Sequence, residues 1–172
     1  VSLRSDASYL ITGGLGGLGL LVARWLVERG ARQLILVGRN EPSEAALKTI
    51  GELEAVGARV SALKGDVSQQ HDVEKFLRDI ESDHSPLRGI IHAAGVLDDG
   101  LLRNLRWEQF RTVMDPKVRG AWNLHRLTRG LQLDFFIMFS SAASMLGSPG
   151  QGNHASANAF LDALAHHRRS LG

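Results

Sequence analysis

Residues 8–30, SYLITGGLGGLGLLVARWLVERG, decide how the rest of the chain is read. Five mostly β-forming residues run into a glycine-rich turn, and the turn runs into a segment with helical periodicity. Gly13, Gly17 and Gly19 have the spacing that lets a backbone approach a pyrophosphate at the positive end of a helix. A glycine-rich turn without a ligand could share this composition. Its place between a strand and a helix favours a nucleotide.

Outward from this unit the same rhythm repeats. QLILVGR, RVSALKGDV, LRGIIHAAG and DFFIMFSS read as further strands, and residues 43–56, 70–83, 107–130 and 150–171 as amphipathic helices. With the first unit this makes five strands and five helices. The strands are continuous apolar runs, so both faces of a parallel sheet should be covered by helices. The expectation is an α/β fold, a Rossmann-like doubly wound parallel sheet forming a single domain over residues 1–172. Such folds normally continue into a sixth strand, so the sheet is expected to be truncated after the fifth strand and its following helix, as a fragment of a larger multienzyme would be.

Composition narrows the function. The chain has 172 residues, 44% of them hydrophobic, and no cysteine, which removes disulfides and thiolate metal sites; no metal is expected. The net charge of +2 is spread among interleaved acids and bases, which argues against nucleic acid. No run approaches the roughly 20 apolar residues of a membrane span, and VSLRSDASYL lacks the pattern of a secretory signal. A cytoplasmic protein without a membrane partner follows as an expectation.

The cofactor end is read from the carboxyl ends of the strands. The turn residues Thr12, Gly13, Gly14, Leu15, Gly16, Gly17, Leu18 and Gly19 are candidate cofactor contacts. The second strand ends Val37-Gly38-Arg39-Asn40, with arginine where an acid would meet a free ribose 2′-hydroxyl. Arg39 therefore favours NADPH over NADH, unless it is an ordinary solvated loop residue. Asp66 and Val67 close the third strand, and Ala93, Ala94 and Gly95 the fourth. Asp66 could bond an adenine amino group or cap the next helix.

These residues resemble the short-chain dehydrogenase/reductase superfamily, and within it the ketoreductase domains of modular polyketide synthases and animal-type fatty acid synthases. The matching segments are TGGLGGLG, GDV, HAAGVLDDGLL, MDPKVRGAWNLH, FSSAASMLGSPGQGN and ANAFLDALAHHRR, in family order over nearly the whole chain. The resemblance implies NADPH-dependent reduction of a β-ketoacyl group, tethered by phosphopantetheine to an acyl carrier protein, with the other domains of the same synthase as partners. It puts the catalytic lysine at Lys117, the serine at Ser141 and the asparagine at Asn158. It also gives Leu97, Asp98 and Asp99 the place of a substrate-orienting LDD motif found in B-type enzymes, with Leu146 where A-type enzymes carry tryptophan. Two aspartates in a loop are also common in a solvated turn.

One position departs. Where the family carries its catalytic tyrosine, the sequence reads Gln151-Gly152-Asn153-His154. Spacing of i, i+4 puts His154 on the same helical face as Asn158. Hydride arriving at a ketone develops negative charge on oxygen that must be stabilised and protonated. Near Lys117 the imidazole is expected to be neutral and a poor acid. Impaired reduction with cofactor binding kept is the expectation. The alternative is a redox-inactive domain with a structural or epimerase role. Trp25, Trp107 and Trp122 read as packing residues, and the run His166-His167-Arg168-Arg169 as cations suited to a helix end.

Overall fold

The computed structural model describes residues 3–82 and 85–171. Five parallel strands form one sheet in the order β3-β2-β1-β4-β5. They are β1 (Ser8–Thr12), β2 (Gln33–Gly38), β3 (Arg59–Lys64), β4 (Leu87–His92) and β5 (Phe135–Met138). The strand order reverses between β1 and β4, which is where such sheets open a crevice at their carboxyl ends.

Alternate residues of the central strands feed two cores. Tyr9 and Ile11 of β1 and Leu34 and Leu36 of β2 pack against α1 (Gly17–Glu28) and α2 (Glu44–Ala55). Leu10, Ile35, Val37 and Ile90 face the other way, onto α3 (Gln70–Ser82) and α5 (Gly120–Leu127). Most of these side chains are fully buried, each worth about 1.5–3 kcal/mol over the exposed state. The two edge strands depart from the reading of strands covered on both faces. Arg59, Ala62 and Lys64 of β3 and Ile137 of β5 are exposed, because an edge has fewer helices packed over it.

Helix bounds follow local chemistry. Ser43 caps α2 by accepting a hydrogen bond from the Ala46 amide. The helix expected over residues 70–83 runs to Ser82, and Asp83 lies outside the described residues. The helix expected over 107–130 is instead α4 (Trp107–Met114), a wider π turn (Asp115–Arg119) and α5. Pro116 explains the break, since it has no N–H to donate and its ring crowds the preceding turn. Two short elements escaped the sequence reading: a 3₁₀ turn at Leu102–Asn104 and α6 (Ala143–Leu146). The last helix, α7, spans Gly152–Ser170.

The three tryptophans do not fit the reading as packing residues. Trp25, Trp107 and Trp122 are 48%, 67% and 42% exposed, with Arg29 over the Trp25 ring and Phe110 and His125 beside the other two. Arg168 does more than suit the end of α7: its guanidinium lies 3.9 Å from the centre of the Phe136 ring and 2.9 Å from Nδ1 of His125.

Two helical glycines should respond oppositely to alanine. At Gly120 a Cβ would lie 2.7 Å from Val67 Cγ2 and 3.2 Å from His92 Cε1, whereas at Gly51 it would meet nothing within 4 Å. Denaturant unfolding should find Gly120→Ala destabilised by about 1–3 kcal/mol. Gly51→Ala should be stabilised by about 0.5–1 kcal/mol.

Candidate active site

The carboxyl edge of the sheet opens onto a cleft of about 490 Å³. It is lined by Gly13, residues 15–19, residues 37–41, Ser43, residues 65–67, residues 93–96 and Pro116. The glycine turn forms one wall, and its glycines divide the work. Gly13 has φ 68°, and a Cβ there would stand 2.7 Å from the Ala93 carbonyl oxygen. At Gly19 a Cβ would stand 2.3 Å from the Gly13 carbonyl oxygen, so strand and helix can meet only through glycine. Gly17 meets nothing and leaves the cleft open. Gly14 and Thr12 lie behind the wall and do not line it: a Cβ on Gly14 would strike the Ile11 carbonyl, and the fully buried Thr12 hydroxyl bonds Nδ1 of His92 at 2.7 Å.

This wall fits a dinucleotide diphosphate. The N-cap of α1 is Gly16, which offers no side-chain acceptor, and the first turn holds no acid. Its amides therefore face the cleft without a side-chain partner, the condition that draws an anion. Arg39 is exposed at the far end and lines both this cleft and the adjoining one at Asp66 and Pro116. The nearby acid Glu41 is engaged with Lys64 at 3.3 Å. Asp66 accepts a bond from the Ser68 amide at 2.9 Å, closing a turn shortly before the start of α3, and it also lines the cleft. Val67 takes Asn123 Nδ2 on its carbonyl at 3.0 Å.

Beyond Gly95 the cleft meets a cluster of polar side chains from three elements. The π turn carries Lys117 inward until it is 8% exposed. Its Nζ donates to the Phe139 carbonyl and to Oδ1 of Asn158, both at 2.9 Å. Gly95 leaves the room: a Cβ there would lie 3.1 Å from Lys117 Cε. Burial holds the lysine pKa below its usual value, and Asp162 opposes that shift. Asn158 is fully buried, and its Nδ2 donates to the His154 carbonyl one turn earlier at 2.8 Å. Ser141 follows β5; its oxygen accepts from the Ala143 amide at 3.2 Å, which leaves its own hydrogen to donate.

His154 begins the same face of α7. Its pKa is lowered by burial first and by Lys117 second, with Asp99 opposing. Nδ1 is buried without a hydrogen-bond partner. A neutral ring follows.

Residues 7–172 match the family model of the KR domain. The chain belongs to the KR domain family. This KR domain is 45% identical over 167 residues to a mycocerosic acid synthase-like polyketide synthase of Mycobacterium tuberculosis, covering 97% of the chain and 8% of that protein. It is 45% identical over 170 residues to the hybrid PKS-NRPS synthetase pynA of Aspergillus niger, covering 98% of the chain and 4% of the synthetase. The chain thus spans a small part of the relatives it matches. Among solved structures, a ketoreductase domain from the bacillaene assembly line superposes with a TM-score of 0.95 at 41% identity, covering 99% of this chain and 41% of that one. A-type ketoreductases from a modular polyketide synthase superpose with a TM-score of 0.92 at 43% identity, covering 96% and 35%. The Rossmann-like sheet and the resemblance to polyketide-synthase ketoreductases both stand. No helix among the described residues is long and apolar enough to cross a membrane, and none of them forms a cluster suited to a metal.

Sequence reading missed the residues that tether the KR domain's Leu97-Asp98-Asp99 segment. Gln109 Nε2 donates to the Asp98 carboxylate at 2.9 Å, Asn153 Nδ2 to the Asp98 carbonyl at 2.8 Å, and Gln151 Nε2 to the Asp99 carboxylate at 2.9 Å. Leu97 is 63% exposed at the rim. Adjacency in sequence gave Gln151 and Asn153 no signal, because their partners lie some fifty residues away.

His92 was also missed as an individual. It is 1% exposed beneath the π turn, its Nε2 has no hydrogen-bond partner, and its pKa is pushed down to about 4 by burial first and by Lys117 second. The unfolded chain therefore takes up this proton first as pH falls. The folded state keeps this contribution to stability above about pH 6.5 and loses it towards pH 4, at about 1.4 kcal/mol per unit. Urea unfolding at pH 7 and pH 5 should show a loss on the order of 2 kcal/mol, and most of it should vanish in His92→Asn.

Proposed function

We propose that the chain is the nucleotide-binding and catalytic core of an NADPH-dependent β-ketoacyl reductase domain whose reduction is impaired by His154. Its substrate is a β-ketoacyl group carried on the phosphopantetheine of an acyl carrier protein, and its other partners are the remaining domains of the same synthase. The observation that carries the reading is the pairing of buried Lys117 with Asn158 and the Phe139 carbonyl beside a glycine-walled cleft, with His154 one turn before Asn158 on the same helix.

NADPH, when bound, supplies the hydride. Gly13 and residues 15–19 would hold its diphosphate, Arg39 its 2′-phosphate, and Asp66, Val67, Ala93, Ala94 and Gly95 the remaining wall. Ser141 is set to donate its hydroxyl hydrogen to the ketone oxygen as charge develops there. Lys117 uses two hydrogens on Phe139 and Asn158, keeping a third for the site and its positive charge for the oxyanion. Delivery of the final proton falls to His154. Burial and Lys117 together keep its imidazole neutral, and a neutral imidazole is a weak acid. Reach differs as well, and a misplacement of about 1 Å can cost about a hundredfold.

Leu97, Asp98 and Asp99, with Leu146 in place of tryptophan, support a B-type product. The backbone alone does not carry that distinction, since A-type enzymes superpose on it closely. The second reading, an epimerase or structural domain without redox, draws on the same neutral His154. Exchange of the substrate α-hydrogen with deuterated solvent without NADPH oxidation would favour the epimerase.

In the intact protein, His154→Tyr should raise NADPH-dependent reduction of a β-ketoacyl thioester by about 10²- to 10⁴-fold. NADPH affinity should stay within about twofold, since His154 is outside the cofactor wall. Equal rates for the two proteins would overturn the reading of impairment.

A further inference from the structure

The face of α7 that carries His154 and Asn158 continues one more turn. At i+8 from His154 stands Asp162, a partly exposed carboxylate that no motif singled out. Its Oδ2 accepts a hydrogen bond from the Ser144 hydroxyl at 2.6 Å. Ser144 is the second residue of α6, and its hydroxyl also lies 2.8 Å from the Ser141 carbonyl oxygen. The amide of Ser144 donates to that carbonyl as well, at 3.1 Å. One carboxylate thereby ties α7 to the short loop on which Ser141 rides. Ser140 adds a second tie, from its hydroxyl to the Asn158 carbonyl at 3.3 Å.

We propose that Asp162 is a positioning residue: through Ser144 it fixes the Ser141 loop to α7, and it serves as the anionic counterpart of the Lys117 ammonium.

The loop needs such an anchor. Met145 and Leu146, next along α6, are 86% and 84% exposed, so apolar burial holds this turn weakly. A helix of four residues has little stability of its own. A hydrogen bond to a charged acceptor is about twice as strong as a neutral one, which suits a carboxylate to the task. On the electrostatic side, Asp162 stands one helical turn from Asn158, the direct partner of the Lys117 ammonium. Other groups hydrogen-bond or approach Lys117 without a negative charge: neutral His92 from β4, neutral His154 from α7, the Asn158 amide and the Phe139 carbonyl. Asp162 is the carboxylate that opposes the burial effect on Lys117. The Ser144 hydroxyl keeps Asp162 ionised, and His166 and Lys117 act in the same direction.

The bearing on catalysis rests on the reductase reading of the site, but the two readouts that test Asp162 need no turnover. In the intact protein, the pKa of Lys117 is followed by the NMR signal of its ε-carbon, assigned with Lys117→Arg. Backbone hydrogen exchange is followed over residues 141–146. Asp162→Asn keeps an acceptor for Ser144 and removes the charge. It should lower the Lys117 pKa by about half a unit or more while loop exchange stays near wild type. Asp162→Ala should lower the Lys117 pKa likewise and also speed loop exchange by about tenfold. Ser144→Ala covers the case in which Asp162→Ala does not fold; it should speed loop exchange and leave Lys117 close to its wild-type pKa. An unchanged Lys117 titration in Asp162→Asn would overturn the electrostatic role, and unchanged loop exchange in Ser144→Ala would overturn the anchoring role.

Discussion

A lysine ammonium held nearly out of water is the constraint around which this site is organised. At 8% exposure Lys117 cannot rely on solvent, so its charge must be met by fixed groups. The Phe139 carbonyl at the end of the sheet and the Asn158 side chain on α7 meet it directly. Each of these contacts requires a distortion elsewhere. Pro116 widens the helix into a π turn that swings the lysine inward, Gly95 clears space for its stem, and Asn158 turns its amide back onto its own helix. The lysine therefore locks the sheet, the π turn and α7 into one arrangement at the carboxyl edge.

The same charge explains the state of its neighbours. Two histidines approach Lys117, His92 from below and His154 from α7, and both are held neutral by burial and by that cation. For His92 the neutral ring is a packing element, bonded to Thr12 and seated against Gly120. For His154 it matters chemically under the proposed reductase reading, in which the position calls for a proton donor and a neutral imidazole is a poor one. A tyrosine phenol beside the same ammonium would have its acidity strengthened by the charge that holds the imidazole neutral.

Much of the fold could be read from sequence because it depends on local pattern. The five strands, α1, α2 and the turn at residues 12–19 are written in apolar runs, glycine spacing and caps. The π turn was hidden because Pro116 marks a disturbance without saying whether a helix bends, ends or widens. The edge strands were misjudged because an apolar run does not tell a centre from an edge. The tryptophans were misjudged because large apolar side chains can also lie half exposed against a cation or a ring. In the site, Lys117, Ser141, His154 and Asn158 were named through resemblance to the ketoreductases, and the structure joins Lys117 to Asn158 and Asn158 to the His154 carbonyl. Gln109, Gln151, Asn153 and Asp162 were not found: they act through partners distant in the chain, and only the folded chain supplies those pairings.

Every role given to this rim depends on the glycine-walled cleft taking a phosphorylated nicotinamide dinucleotide beside the lysine-centred cluster. Calorimetric titration of the intact, folded protein with NADPH and then with NADH tests it most directly. Saturable heat from NADPH is predicted, with NADH weaker by about tenfold or more once Arg39 has no 2′-phosphate to pair with. Absence of any binding heat from either dinucleotide, with the protein verified as folded, would contradict it.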